Sequence, residues 1–177
     1  NQTDVVVNGG VAAQITSDTD INSGFFYGGN GGRASVATGS VSADGGDALL
    51  HTSDELNVYG GTFKGGSGGS ADAETGTNTS ARAGLGARVT TGGHANFYGG
   101  TFSSGQDGNA SSAAQRTYSQ YAGWLDGAGV VLIASNATFN GDLLVNNTTE
   151  LSIEGGTIRG DVRFEGGTTG FKLTTDT

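Results

Sequence analysis

The sequence predicts an all-β chain folded as a parallel β-solenoid, and three observations predict it. Apolar residues recur with a period of two in short runs, the signature of strands. Double glycines end those runs at fixed places, where a sharp corner needs a positive φ or no Cβ. The pattern then recurs along the chain, and repeats decide a fold before any single element does.

Thr3–Val7 (TDVVV) is the most β-prone apolar run and reads as a strand at the N-terminal edge. LNVYGGTF at Leu56–Phe63 recurs as ANFYGGTF at Ala95–Phe102, an offset of 39, and FFYGGNGG at Phe25–Gly32 reads as an earlier copy. Leu56 and Val58 share one face of this unit, Asn57 and Tyr59 the other. The alignment puts Tyr27, Tyr59 and Tyr98 at one outward position, and sets His94 against Glu55 and His51 against Thr90. A second theme follows: GGNGGRAS at Gly28–Ser35, GGSGGSAD at Gly65–Asp72 and SGQDGNAS at Ser104–Ser111.

From Ala71 to Val89 every odd position is Ala, Thr, Leu or Val, which predicts extended chain over a thin interior of small side chains. Around Tyr118, Tyr121 and Trp124 the repeat breaks, so Tyr118–Asp126 reads as a protruding loop or partner-contact patch. Downstream the unit shortens. ATFNGDLLV at Ala137–Val145 recurs as GTIRGDVRF at Gly156–Phe164, an offset of 19, and in LSIEGGTI the inward pair is Leu151 and Ile153. Two short units nearly equal one long unit, so one coil is expected to take about twenty residues. Phe171–Thr175 (FKLTT) reads as an open-ended strand. Residues 1–177 form one solenoid domain in this reading, with an N-terminal edge region over 1–24 and repeated coils over 25–175.

Composition narrows the function. The chain has 35 Gly and no Pro, Cys or Met. Collagen is excluded, because it needs Gly at every third position and abundant Pro. Without Cys there is neither a disulfide framework nor a thiolate metal site. No apolar run is long enough for a membrane-spanning helix. A net charge of −9 argues against nucleic acid as a partner. Low hydrophobicity and high Gly also suit a disordered chain, but the phased apolar runs, the repeats and the missing Pro oppose that.

The GG-T-[FI] corners and [FI]-x-G-D-[LV] steps resemble right-handed parallel β-helix proteins of the pectate-lyase-like group, closest to autotransporter passengers and related surface adhesins. The resemblance covers Gly24–Leu173 and implies the right-handed form of the solenoid. Chlamydial polymorphic outer-membrane proteins carry GGA[ILV] with F-x-x-N; here GGTF and GGTI stand in the first place, and no F-x-x-N follows Phe63, Phe102 or Ile158.

Polysaccharide lyases and hydrolases share that fold, and their chemistry needs clustered carboxylates with a nearby Lys, Arg or His on one face. Asp142 and Asp161 align, each after a Gly at the same corner, with Arg159 and Arg163 nearby. Turn residues capping backbone amides explain them better than a catalytic pair, and no enzyme is expected. GGNGGR and GGSGGS copy the glycines of calcium-binding toxin repeats, but Arg33 and Ser70 stand where the liganding Asp belongs; no metal and no cofactor is expected. Thr is abundant without the regular T-x-T array of an ice-binding face. Sequons occur at Asn1, Asn78, Asn109, Asn136, Asn146 and Asn147, of which Asn78, Asn109, Asn136 and Asn147 are the candidate glycosylation sites.

The expected function is that of a secreted, cell-surface structural protein: a subunit of a filament, surface fibre or adhesin. Its partner is itself, head to tail, through strand edges at Thr3, Asp4, Val5, Val6 and Val7 and at Phe171, Lys172 and Leu173. A polysaccharide or host surface is a further expected partner, through Tyr118, Tyr121 and Trp124. The alternative is a carbohydrate-binding or carbohydrate-processing β-helix.

Overall fold

A computed structural model describes residues 4–75, 79–90, 92–111, 121–127, 129–167 and 170–174. These residues form an all-β, parallel β-solenoid; among them there is no helix. The first coil holds β1 (Val5–Val6), β2 (Ala13–Ile15), β3 (Thr19–Ile21), β4 (Phe25–Tyr27) and β5 (Arg33–Thr38). The second repeats it as β6 (Val41–Ser42), β7 (Leu49–His51), β8 (Glu55–Val58), β9 (Thr62–Lys64) and β10 (Ser70–Thr75). The third has β11 (Thr79–Ser80), β12 (Ala87–Thr90), β13 (His94–Ser103) and β14 (Asn109–Ala110). Then the coils shrink: β15 (Tyr121–Asp126) and β16 (Val130–Asn140); β17 (Asp142–Asn146), β18 (Glu150–Glu154) and β19 (Thr157–Ile158); β20 (Val162–Glu165) and β21 (Gly170–Thr174).

Two stacks result. A trunk runs through all six coils, bounded by a six-stranded sheet from β2 to β20 and a nine-stranded sheet from β3 to β21, with β4, β9 and β19 on its third side. A smaller lobe, seen among the described residues in the first three coils, lies between the sheets β1-β6-β11 and β14-β10-β5. This corrects the expected coil length. Leu56 pairs directly with Ala95, so the 39-residue unit is one coil and not two. Leu143 pairs with Val162 across the 19-residue unit, which is one coil as well. The long coil is long because it makes an excursion through the lobe. The division at residue 24 therefore falls inside the first coil.

Inside the trunk the inward positions form columns. Ile21, Val58, Phe97, Ile133, Ile153 and Leu173 lie in one register. Phe63, Phe102 and Phe139 are fully buried, and with Phe26 they form a ladder of stacked rings at 4.7, 4.7 and 4.6 Å. Offset stacking adds about 0.5–1.5 kcal/mol per pair to the area each ring buries. The corners work as predicted: Gly61 and Gly100, second of their pairs, have φ of +119° and +106°. The lobe interior is thin, built on Ala34, Val41, Ala43, Ala71 and Ala81, which accords with the small odd-position residues.

Trunk and lobe meet at a glycine waist. The N–H of Gly29 donates to Gly10, Gly46 to Gly29, Gly66 to Gly46, Gly84 to Gly66 and Gly105 to Gly84, at 2.8–3.0 Å. Each bond crosses from the strand leaving the lobe to the strand entering it, or back, so the two backbones climb the solenoid in mutual contact. A Cβ on Gly66 would lie 2.0 Å from the Gly29 carbonyl oxygen. The repeated GGxGG segments are thus more than corners: no side chain fits between the opposed backbones.

Two alignments change. Phe26 pairs with Phe63, continuing the trunk column, and Tyr27 pairs with Lys64. Ile21 pairs with Val58, so Tyr27 does not share the position of Tyr59 and Tyr98. His51 pairs with Val89 rather than Thr90, and is buried. His94 does pair with Glu55.

Candidate functional site

The first and last described coils carry most of the exposed large hydrophobic residues. Eight of the ten exposed large hydrophobic residues among the described residues lie in the first or last coil. At the C-terminal end Phe164, Phe171 and Leu173 are 44%, 54% and 62% exposed. They occupy inward register positions, below Val145, Leu151 and Ile153. Phe164 and Phe171 meet edge to face at 5.5 Å. Lys172 points outward and pairs with Glu154 at 3.6 Å, both exposed.

At the other end Val6 is 67% and Phe25 78% exposed. Val5 and Val7 donate their N–H groups to Ser40 and Ser42 of the second coil, and the Asp4 carboxylate accepts from the Ser40 N–H at 3.1 Å. Thr3 lies outside the described residues. The two candidate strands of the sequence reading do not belong to one sheet. β1 is an edge of the lobe, while β21 closes a trunk sheet whose opposite edge is β3. The apolar pattern signalled both edges, but nothing in it said that Val5–Val7 had left the trunk.

Tyr121 and Trp124 are not on a protruding loop. They belong to β15, which is held in parallel register between β12 and β17. Tyr118 lies outside the described residues. Tyr121 is buried with Leu85 and Leu144 in a small cluster outside the trunk core, and Trp124 packs against it half-buried. Repetition is lost here because Gly123 replaces an inward side chain; a Cβ there would lie 2.8 Å from Leu143 and 2.9 Å from the Phe139 ring. Those large neighbours fill the space themselves.

Beside this cluster sits an ion pair the sequence did not disclose. Arg88 Nε lies 3.0 Å from Asp47 Oδ2, and its guanidinium covers the Trp124 ring at 5.2 Å. The Leu85 N–H donates to Asp47 Oδ1 at 2.9 Å. Burial pushes the Asp47 carboxyl above its usual range, with Arg88 and the Leu85 amide opposing. The pair staples trunk to waist.

The carboxylates act as caps. Asp142 Oδ1 accepts the Asp161 N–H at 2.9 Å, the role expected of an aligned corner Asp. Arg163 donates to the Tyr121 hydroxyl at 3.1 Å and lies 3.7 Å from Glu165. Asp44 likewise accepts from the Ser80 hydroxyl at 2.6 Å and the Arg82 N–H at 2.7 Å. His51 and His94 do not stack. His51 is walled into the trunk interior, where burial pulls its pKa below the usual range, opposed in smaller part by the backbone of Ser17 and Glu55 and by Asp18. Among the described residues no group of His, Cys, Asp or Glu is placed to hold a metal.

Of the sequons, Asn109 on β14 and Asn136 on β16 are exposed. Asn147, with φ +50°, is engaged in a corner: it donates to Asp126 at 3.3 Å and accepts the Gly167 N–H at 3.2 Å. Asn146 also donates to Asp126, at 3.1 Å. Asn1 and Asn78 lie outside the described residues. On the outward face of the nine-stranded sheet Tyr59 and Tyr98 stack at 5.1 Å beside a ladder in which Asn96 donates to Asn57 and Asn57 to Asp20, each at 2.9 Å.

No helix among the described residues is long and apolar enough to cross a membrane. No family model, curated protein or solved structure matches this chain, so the assignment to the parallel β-solenoids stands on its strand register alone.

Proposed function

We propose that the chain is a structural subunit of an extracellular filament or surface fibre, assembled end to end through the strand edges of its solenoid. The observation that carries this reading is the parallel register of the trunk, in which coil after coil pairs edge to edge through the six- and nine-stranded sheets. Unpaired edges beside apolar surface favour further pairing, and a heterologous contact of this kind propagates. Exposed sequons at Asn109 and Asn136 suit a secreted chain. The test is the assembly state of the purified chain by electron microscopy and light scattering across concentration. Filaments support the reading, and a monodisperse monomer at high concentration rejects it.

A carbohydrate-binding role is the second reading, favoured by Tyr59 and Tyr98 beside the Asn57–Asn96 ladder. The ring faces are turned toward each other, which leaves mainly ring edges for a sugar. Binding to a glycan array that is lost on Tyr59→Ala supports this reading; an array without hits removes it.

A further inference from the structure

We infer that Asn136 carries an N-linked glycan and that its first sugar lies over the ring of Tyr98. The inference rests on the extracellular placement proposed above and not on assembly.

The backbone singles out this position. Phe97 pairs with Ile133 and Thr101 with Thr138, and these pair in turn with Ile153 and Thr157. Phe97 and Thr101 are four positions apart, Ile133 and Thr138 five, and Ile153 and Thr157 four. The middle coil therefore holds one residue more than either neighbour, a β-bulge. Ser135 and Asn136 take up the extra length, and both are exposed on a strand whose other residues are buried or half-buried. The bulge thus pushes out the Asn of the sequon Asn136–Thr138.

The surroundings leave room for a bulky group. Asn136 pairs with Gly99 of the coil below, and Gly155 and Gly156 fill the matching place in the coil above. Neither neighbour has a side chain to obstruct a sugar. Next to Gly99 stands Tyr98, 37% exposed, its ring stacked at 5.1 Å on Tyr59 of the coil below it. The other face of that ring turns toward the bulge, where the short side chains of Ala134 and Ser135 oppose it. A sugar arriving from solution meets mainly ring edges here, whereas one tethered at Asn136 is held over the remaining face.

The other described sequons differ. Asn147 donates to Asp126 and accepts the Gly167 N–H, and Thr148 of the same sequon is fully buried. Asn146 also donates to Asp126. In the Asn109 sequon the Ser111 hydroxyl accepts from the Ala73 N–H and donates to the Ala73 carbonyl. No side-chain hydrogen bond among the described residues engages Asn136.

The donor is a lipid-diphosphate-linked oligosaccharide. The Asn136 amide nitrogen bonds to the anomeric carbon and gives up one proton. The bond from that carbon to the diphosphate oxygen breaks, and the lipid diphosphate leaves with the electron pair.

The test uses the full chain secreted from a eukaryotic cell culture. Enzymatic deglycosylation in heavy-oxygen water marks each occupied Asn, and peptide mass spectrometry reads the marks. Asn136 should carry the highest occupancy and Asn147 none. Asn136→Gln and Thr138→Ala should each abolish the mark at this site. Removing the glycan from the folded parent should lower its melting temperature by roughly 2–4 °C, the shift one stacking contact gives in a chain of this size. In Tyr98→Ala the same treatment should leave the melting temperature unchanged. A bare Asn136 overturns the inference, and equal shifts in parent and Tyr98→Ala overturn the place of Tyr98 in it. Filaments with a bare Asn136 leave the filament reading standing, whereas an occupied Asn136 on monomers at every concentration removes that reading and keeps this one.

Discussion

Gly66 donates its N–H to the Gly46 carbonyl at 2.8 Å across the waist, and a methyl group on Gly66 would lie 2.0 Å from the carbonyl oxygen of Gly29. The obstacle is backbone, which cannot swing aside as a side chain can. Gly66→Ala should therefore destabilise the fold by about 3 kcal/mol or more. Gly10→Ala is the control, because a Cβ there meets nothing within 4 Å, and it should cost under about 1 kcal/mol. Urea melts followed by circular dichroism distinguish the two.

The phenylalanine ladder gives a second test. Phe102 is fully buried, with stacked rings on both sides and Phe97 edge-on at 5.2 Å. Phe102→Ala should cost about 3–5 kcal/mol. Phe26, only partly buried at the end of the ladder, should cost less when truncated to Ala. Equal losses at both positions would contradict a ladder whose strength comes from neighbours on two sides.

His51 makes stability depend on pH. The folded chain holds the imidazole neutral, because burial lowers its pKa from 6.5, with Asp18 and the backbone of Ser17 and Glu55 opposing in smaller part. The unfolded chain thus binds the proton more readily. Stability should fall as pH drops through about 6.5 and continue to fall until the lower folded pKa is passed. Asp47 contributes with the opposite sign, since its raised carboxyl pKa favours the folded state on acidification. His51→Val, which copies Val89 and Val145 of the same column, should remove the step below about pH 6.5. An unchanged profile would contradict a neutral buried imidazole.

Asp47 and Arg88 supply the fourth prediction. Asp47→Ala leaves Arg88 without its carboxylate and the Leu85 N–H without its acceptor. With the Arg88 side chain 43% exposed, the cost should be about 1–3 kcal/mol. Trp124 fluorescence should shift with it, because the guanidinium rests on that ring.

Much of this architecture was legible in the residues. Period-two alternation placed Leu56, Val58, Leu151 and Ile153 inward, and all four are buried. The GGxGG themes at Gly28 and Gly65 stack as read, with Ala34 on Ala71. Coil circumference was not legible. A repeat length fixes the sequence between equivalent positions, not the route between them, and a lobe lined with alanine leaves little apolar signal. The waist was hidden for a related reason: glycine reports that a Cβ is excluded but not what excludes it. Tyr27 misled because its Tyr-Gly-Gly matches a corner, whereas the column is chosen by the ring that stacks, Phe26 on Phe63. At the C-terminal end the apolar run marked Phe171–Thr175 as a strand, yet only the sheet order showed that the edge opposite β21 in its sheet is β3 and not β1.

Assembly is tested most directly by electron microscopy of the purified chain without added ligand. The account predicts filaments one solenoid wide, with an axial spacing of about 4.8 Å between coils. Isolated rods at every concentration would contradict it.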